Sequence, residues 1–177
     1  MHVSKLNVEK TTLRDVLQIR PLTDFADHRG RYLELYNKEA YLNAGIDIDF
    51  PQDDVSISKS GVLRGIHGDE DTWKLVTCLI GSIHLIVVNN DESSAQYRQW
   101  ASFLINDKNR LQILVPPKFG NGHQVISEIA VFHYKQSSYY LPGQQFTIAW
   151  DDPLFGFNWP SKNPILSFRD SNAPWIV

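Results

Sequence analysis

Residues 75–89 read LVTCLIGSIHLIVVN, two apolar, strand-like runs (75–80 and 83–89) around Gly81-Ser82. A glycine at the junction adopts positive φ without penalty, so the pair is expected to form a hairpin closed by a type II′ turn. Cys78 lies inside the first run and reads as a buried core residue rather than a reactive thiol.

The pattern continues downstream. Residues 97–105 and 111–115 flank a polar turn at 106–110, and residues 129–136 and 146–150 read as further strands. Pro116-Pro117-Lys118-Phe119-Gly120-Asn121-Gly122-His123 is rich in turn formers and reads as a loop. The tail, 159–177, has several prolines and no clear periodicity. Upstream, residues 54–59 alternate, placing Val55 and Ile57 on one face and Ser56 and Ser58 on the other. Asn37 is a suitable cap for a short helix over 38–44, with Gly45 just past its end. Residues 32–36 read as a strand after a turn at Asp27-His28-Arg29-Gly30. Residues 1–23 read as edge strands, with a short helix as the alternative, and Leu13, Val16, Leu17 and Ile19 as buried candidates. Many short strands with turns about every ten residues predict an all-β sandwich or barrel with a few short helices.

The chain has 177 residues, which predicts one domain with a full core. A net charge of −3 argues against general affinity for nucleic acid or anionic membrane, so any anion site must be a local cluster. One cysteine permits no disulfide within the chain, and no run approaches transmembrane length. Together these predict a soluble, cytoplasmic protein.

The chemistry is concentrated between the strand-like runs, in 58-SKSGVLRGIHGDEDTWKL-75. Arg64, His67 and Lys74 place two cations and a titratable imidazole at the mouth of a β-structure, which suits an anionic ligand and a proton transfer. Residue types alone leave open the alternative of surface charges around a structural rim histidine. An imidazole titrates near neutrality (pKa about 6.5), so His67 is the natural base, but many aspartates are available to orient it. Tyr134 shares a strand face with Phe132, where it is either a core aromatic or a general acid. The six histidines form no His-x-His pair, and a metal site is not expected. No GxGxxG, P-loop or GxSxG motif is present, so neither a bound nucleotide cofactor nor acyl-enzyme chemistry is supported.

Several of these residues stand in a known order: Asp27-x-Arg29-Gly30, Arg64-Gly65-Ile66-His67, Lys74-Leu75-Val76, Pro116-Pro117, Tyr134-Lys135, Trp150-x-Asp152-Pro153, Trp159-Pro160 and Ser167-x-x-Asp170. Over about residues 15 to 175 the chain resembles the dTDP-4-dehydrorhamnose 3,5-epimerases and related epimerases of nucleotide-linked 4-keto sugars. The resemblance implies a cupin-type β jelly roll, a homodimer, and neither metal nor cofactor. It implies that His67 is the base, Asp170 its carboxylate partner, Tyr134 the acid on the opposite face of the sugar, and Lys74 the cation near the keto oxygen. It likewise implies that Arg64 holds the diphosphate and that Arg29 and Glu34 belong to a segment reaching into the partner subunit's site. Gln52 and Ser56 match the segment used around the nucleotide and sugar, and an aromatic, Tyr32 or Tyr140, is a candidate to stack on the base.

The chain departs from that pattern in the pocket wall. The family usually has Gly-Phe-Ala-His-Gly-Phe after its two prolines, so Asn121 stands where a sugar-contacting histidine is usual. Asp54 replaces a common asparagine, and Gln145 lies near where a nucleotide-contacting glutamate is often found. The expectation is retained chemistry at C3 and/or C5 on a non-standard substrate. A GDP-linked 4-keto-6-deoxyheptose of a capsule pathway fits, with a dTDP-linked hexose as the familiar alternative. The remaining alternatives are a single-centre epimerase or ketoisomerase, a non-catalytic nucleotide-sugar binder and a metal-dependent cupin oxygenase.

Overall fold

A computed structural model describes residues 6–21 and 24–176. In chain order its strands are β1 (Leu6–Lys10), β2 (Leu17–Pro21), β3 (Asp24–Asp27) and β4 (Gly30–Leu33), followed by helix α1 (Lys38–Asn43). Then come β5 (Gln52–Lys59), β6 (Leu63–Gly68), β7 (Lys74–Ile80), β8 (Ser82–Asn89), β9 (Trp100–Asn106) and β10 (Gln112–Val115). The chain ends with β11 (Phe119–Val125), β12 (Ile129–Gln136), β13 (Phe146–Thr147) and helix α2 (Phe168–Ser171). Of the strands expected over residues 1–23, residues 1–5 and 22–23 lie outside the described residues.

Two antiparallel sheets form the sandwich, one ordered β1-β2-β10-β7-β12-β5 and the other β13-β6-β11-β8-β9; β3 and β4 pair as a separate two-stranded sheet. The main core lies between the large sheets, where Val76, Cys78, Ile113 and Phe132 of one meet Leu85, Val87, Phe103 and Ile105 of the other. Both outer faces are also covered. Ile86 and Val88 pack outward against Ile148, Phe155 and Trp159, while Leu75 and Leu114 pack against Tyr41 of α1. A strand buried on both faces reads as a continuous apolar run, which is why 83–88 does not alternate.

Double coverage also overturns the expected hairpin. The two runs of 75–89 belong to different sheets, so the chain crosses the sandwich at Gly81. Gly81 has φ +82°, and a Cβ there would collide with the Ile129 carbonyl oxygen, so the crossing is too tight for any side chain. From β9 onward every connection switches sheets, β9 to β10, β10 to β11, β11 to β12 and β12 to β13, the strand-switching path of a jelly roll.

The stretch read as a loop after Pro116-Pro117 is largely strand β11. Its glycines serve close approach rather than turning: a Cβ on Gly120 would sit 2.6 Å from Ile66 Cγ2, and one on Gly122 3.1 Å from the Arg64 carbonyl oxygen. Residues 34–36 are not strand, and the strand expected over 146–150 shortens to Phe146–Thr147. Asn37 caps α1, accepting a hydrogen bond from the Ala40 amide at 3.2 Å. The alternation of β5 is as read, but its polarity is inverted: Val55 and Ile57 are 56% and 65% exposed, while Ser58 is buried. The serines face inward because the sandwich opens at that end into a polar cavity.

Candidate active site

The cavity, of about 310 Å³, lies between the sheets at one end of the sandwich. Strands β6 and β11 supply Arg64, His67 and Asn121 to one wall. The opposite wall receives Ser56 from β5, Lys74 from β7 and Tyr134 from β12. Period-two alternation puts Tyr134 and Phe132 on the same inward face of β12, their rings 5.5 Å apart.

Asp170 arrives from the tail, where sequence periodicity gave no element. Ser167 caps α2 by accepting from the Asp170 amide at 3.1 Å, which fixes the buried carboxylate behind His67. Asp170 Oδ1 lies 2.6 Å from His67 Nε2. Burial pushes the Asp170 carboxyl up, but hydrogen bonds from His67, Ser167 and the Gly65 backbone outweigh it and hold the group below the usual carboxylate range. With Nε2 engaged by the carboxylate, Nδ1 is the ring nitrogen left to accept a proton.

Lys74 is 5% exposed. Burial lowers its pKa, opposed by Asp69, whose carboxylate is 3.8 Å away, and reinforced by Arg169. Tyr134 is shifted up, chiefly by burial and then by Asp54 and Tyr140, so its phenol stays protonated well past neutrality. Arg64 Nε donates to Ser58 Oγ at 3.1 Å.

Tyr140 and Gln145 line the mouth, where a second depression bounded by Asp69, Thr72 and Gln144 adjoins the first. Three predicted residues are not brought to the cavity wall. Arg29 sits exposed at the tip of the β3–β4 hairpin, bonded to Asp27 through Nη2 at 2.6 Å. Glu34 lies beyond that hairpin, beside Asn37. Gln52 holds the mouth indirectly: its carbonyl accepts from the Tyr140 amide at 2.8 Å and its amide donates to Asp54 at 2.7 Å.

Sequence reasoning missed Arg169 and His123. Arg169 donates to Thr147 Oγ1 and to Gln145 Oε1, at 2.7 Å and 3.1 Å, so it orients a residue of the mouth. His123 lines the cavity beside Asn121, and its i, i+2 spacing on an apolar strand would have shown this had β11 been read as a strand. Among the described residues, no three His, Cys, Asp or Glu side chains group as a metal site, and no helix is long and apolar enough to cross a membrane.

A jelly roll with a His–carboxylate pair and a phenol on facing walls of one polar cavity defines a cupin-type enzyme of proton transfer, the class of the sugar epimerases. The family model described as dTDP-4-dehydrorhamnose 3,5-epimerase matches residues 10–177. The chain is 37% identical over 174 residues to the dTDP-4-dehydrorhamnose 3,5-epimerase of Salmonella typhimurium, covering 96% of this chain and 94% of that one. The crystal structure of the Bacillus anthracis enzyme with TDP and PPi bound superposes with a TM-score of 0.92 at 30% identity, covering 97% of this chain and 99% of that one. The Legionella pneumophila enzyme in complex with dTDP-4-keto-L-rhamnose gives 0.91 at 32% identity, covering 96% and 92%. The chain belongs to the dTDP-4-dehydrorhamnose 3,5-epimerase family.

Proposed function

We propose that the protein inverts C3 and/or C5 of a 4-keto-6-deoxy sugar linked to a nucleoside diphosphate, by removing a proton from one face of the ring and returning one to the other. The observation that carries this reading is the placement of His67, backed by Asp170, and of Tyr134 on opposite walls of one cavity. A C4 ketone acidifies its neighbouring C–H bonds because their conjugate bases are enolates. His67 Nδ1 takes the proton, and Asp170 holds the ring and stabilises the imidazolium. Lys74 and Asn121 stabilise the charge growing on O4; one such donor is typically worth roughly 3–4 kcal/mol. Tyr134 protonates the opposite face.

Arg64 grips the diphosphate, since a guanidinium matches phosphate oxygens. A cavity of about 310 Å³ suits the sugar, and the nucleotide lies along the adjoining mouth, against Tyr140 and Gln145. Arg29 and Glu34, remote from their own cavity, act in the partner's site of a homodimer. The exposed Val55 and Ile57 on edge strand β5 and the exposed Phe25 and Tyr32 on the β3–β4 hairpin are consistent with such an interface. The relatives' named substrates support a dTDP-linked hexose. Asn121 and Gln145 in the pocket wall favour a second reading, a GDP-linked 4-keto-6-deoxyheptose for capsule or lipopolysaccharide synthesis.

The test is turnover in heavy water with a panel of dTDP- and GDP-linked 4-keto-6-deoxy sugars, followed by NMR. Deuterium at C3 or C5 with inversion supports the reading, and the labelled positions distinguish one centre from two. His67→Ala should abolish exchange, while Tyr134→Phe should exchange without inverting. Wild-type protein that labels no substrate would sink the assignment and leave a non-catalytic binder.

A further inference from the structure

Two residues lining the cavity, Ser56 and His123, each carry a polar atom that no protein group satisfies. Ser56 Oγ and His123 Nε2 are both buried without a hydrogen-bond partner. They belong to opposite sheets but to one level of the sandwich. Ser56 is the register partner of Phe132, and His123 that of Arg64; the His123 ring stacks on Phe132 at 4.1 Å and 23°. His67 and its partner Asn121 occupy the neighbouring level along β6 and β11, on the side where β6 pairs with β13. A buried polar atom without a partner destabilises a fold, and such atoms persist where a ligand completes them.

We infer that Ser56 and His123 form a specificity subsite for a hydroxyl group of the substrate's sugar, at the level of Arg64. This rests on the nucleotide-sugar reading above and deepens it. A hydroxyl suits the pair because it donates and accepts at once, matching an imidazole nitrogen and a serine oxygen. Burial, and then the nearby charges of Arg64 and His67, push His123 down to about 3 despite Asp170, so its ring is neutral at working pH. It therefore binds by hydrogen bonding, without adding charge to the site, and it is not a second base.

Two measurements test the subsite. The first is the melting temperature of the free protein. His123→Phe keeps a ring on Phe132 and removes the orphaned nitrogen, so it should melt higher than wild type; a structural role would make it melt lower. The second is calorimetric titration with dTDP, GDP and the 6-deoxyhexose conjugate of each. His123→Phe should leave the bare nucleotides' affinities unchanged and weaken a conjugate by about tenfold. Ser56→Ala should weaken it in the same sense, and His123→Gln should restore part of the loss. Equal affinity ratios in wild type and His123→Phe, or equal losses for nucleotide and conjugate, would overturn the subsite. So would a wild-type protein that prefers neither conjugate to its nucleotide, whereas the epimerase reading is judged separately, by deuterium incorporation.

Discussion

Asp170 is buried, yet its carboxyl is held below the usual range because the hydrogen bonds it accepts outweigh desolvation. A depressed folded-state pKa contributes stability above the unfolded value, and that stability is lost as pH falls through the folded one. The loss therefore falls below about pH 4. Asp170→Asn should show a shallower drop in urea stability between neutral pH and pH 3 than wild type. The same variant loses the partner of the imidazolium, so kcat should fall about a thousandfold or more while KM changes only a few-fold. At this scale the sequence was informative where alternation is clear, as for Tyr134 on β12; His67 was reached through its side-chain chemistry, since β6 does not alternate and brings Arg64 and His67, three residues apart, to one cavity. Asp170 was supplied only by family resemblance, because a four-residue helix in a proline-rich tail leaves no periodicity to read. His123 was lost when two glycines were taken for turn formers; they are there to let β11 approach β6.

Elements show the same division. An all-β sandwich or barrel was legible, since strand after strand is short and bounded by turn residues; the jelly-roll path was implied only by the family resemblance. Which strands pair was not. An apolar run followed by Gly-Ser and a second apolar run is compatible with a hairpin and with a crossing between sheets, and only the covering of both outer faces decides. The inverted polarity of β5 was equally hidden, because alternation gives the faces but not which of them is inward. The crossing makes Gly81 a sharp test. Gly81→Ala places a Cβ against the Ile129 carbonyl at positive φ, and should cost about 2 kcal/mol or more by denaturant unfolding. A hairpin glycine at the same position would tolerate the change better.

At the scale of the whole molecule, Arg29 does not line the cavity its own chain builds and is bonded to Asp27 on an exposed hairpin. If it serves a partner's site, Arg29→Ala and His67→Ala should each be nearly inactive as homodimers. Mixing the two after unfolding and refolding together should recover activity, because a hybrid pair contains one site with both residues native. Recovery absent from a mixture shown to contain hybrids would place Arg29 in its own chain's site rather than the partner's.

His67 and Tyr134 hang from separate layers, so the apolar filling between those layers helps set the gap a sugar must bridge. Warming that loosens this filling widens the gap before any strand unpairs. Turnover should therefore fade several degrees below the temperature at which far-ultraviolet circular dichroism is lost, and should return in full on cooling from that interval.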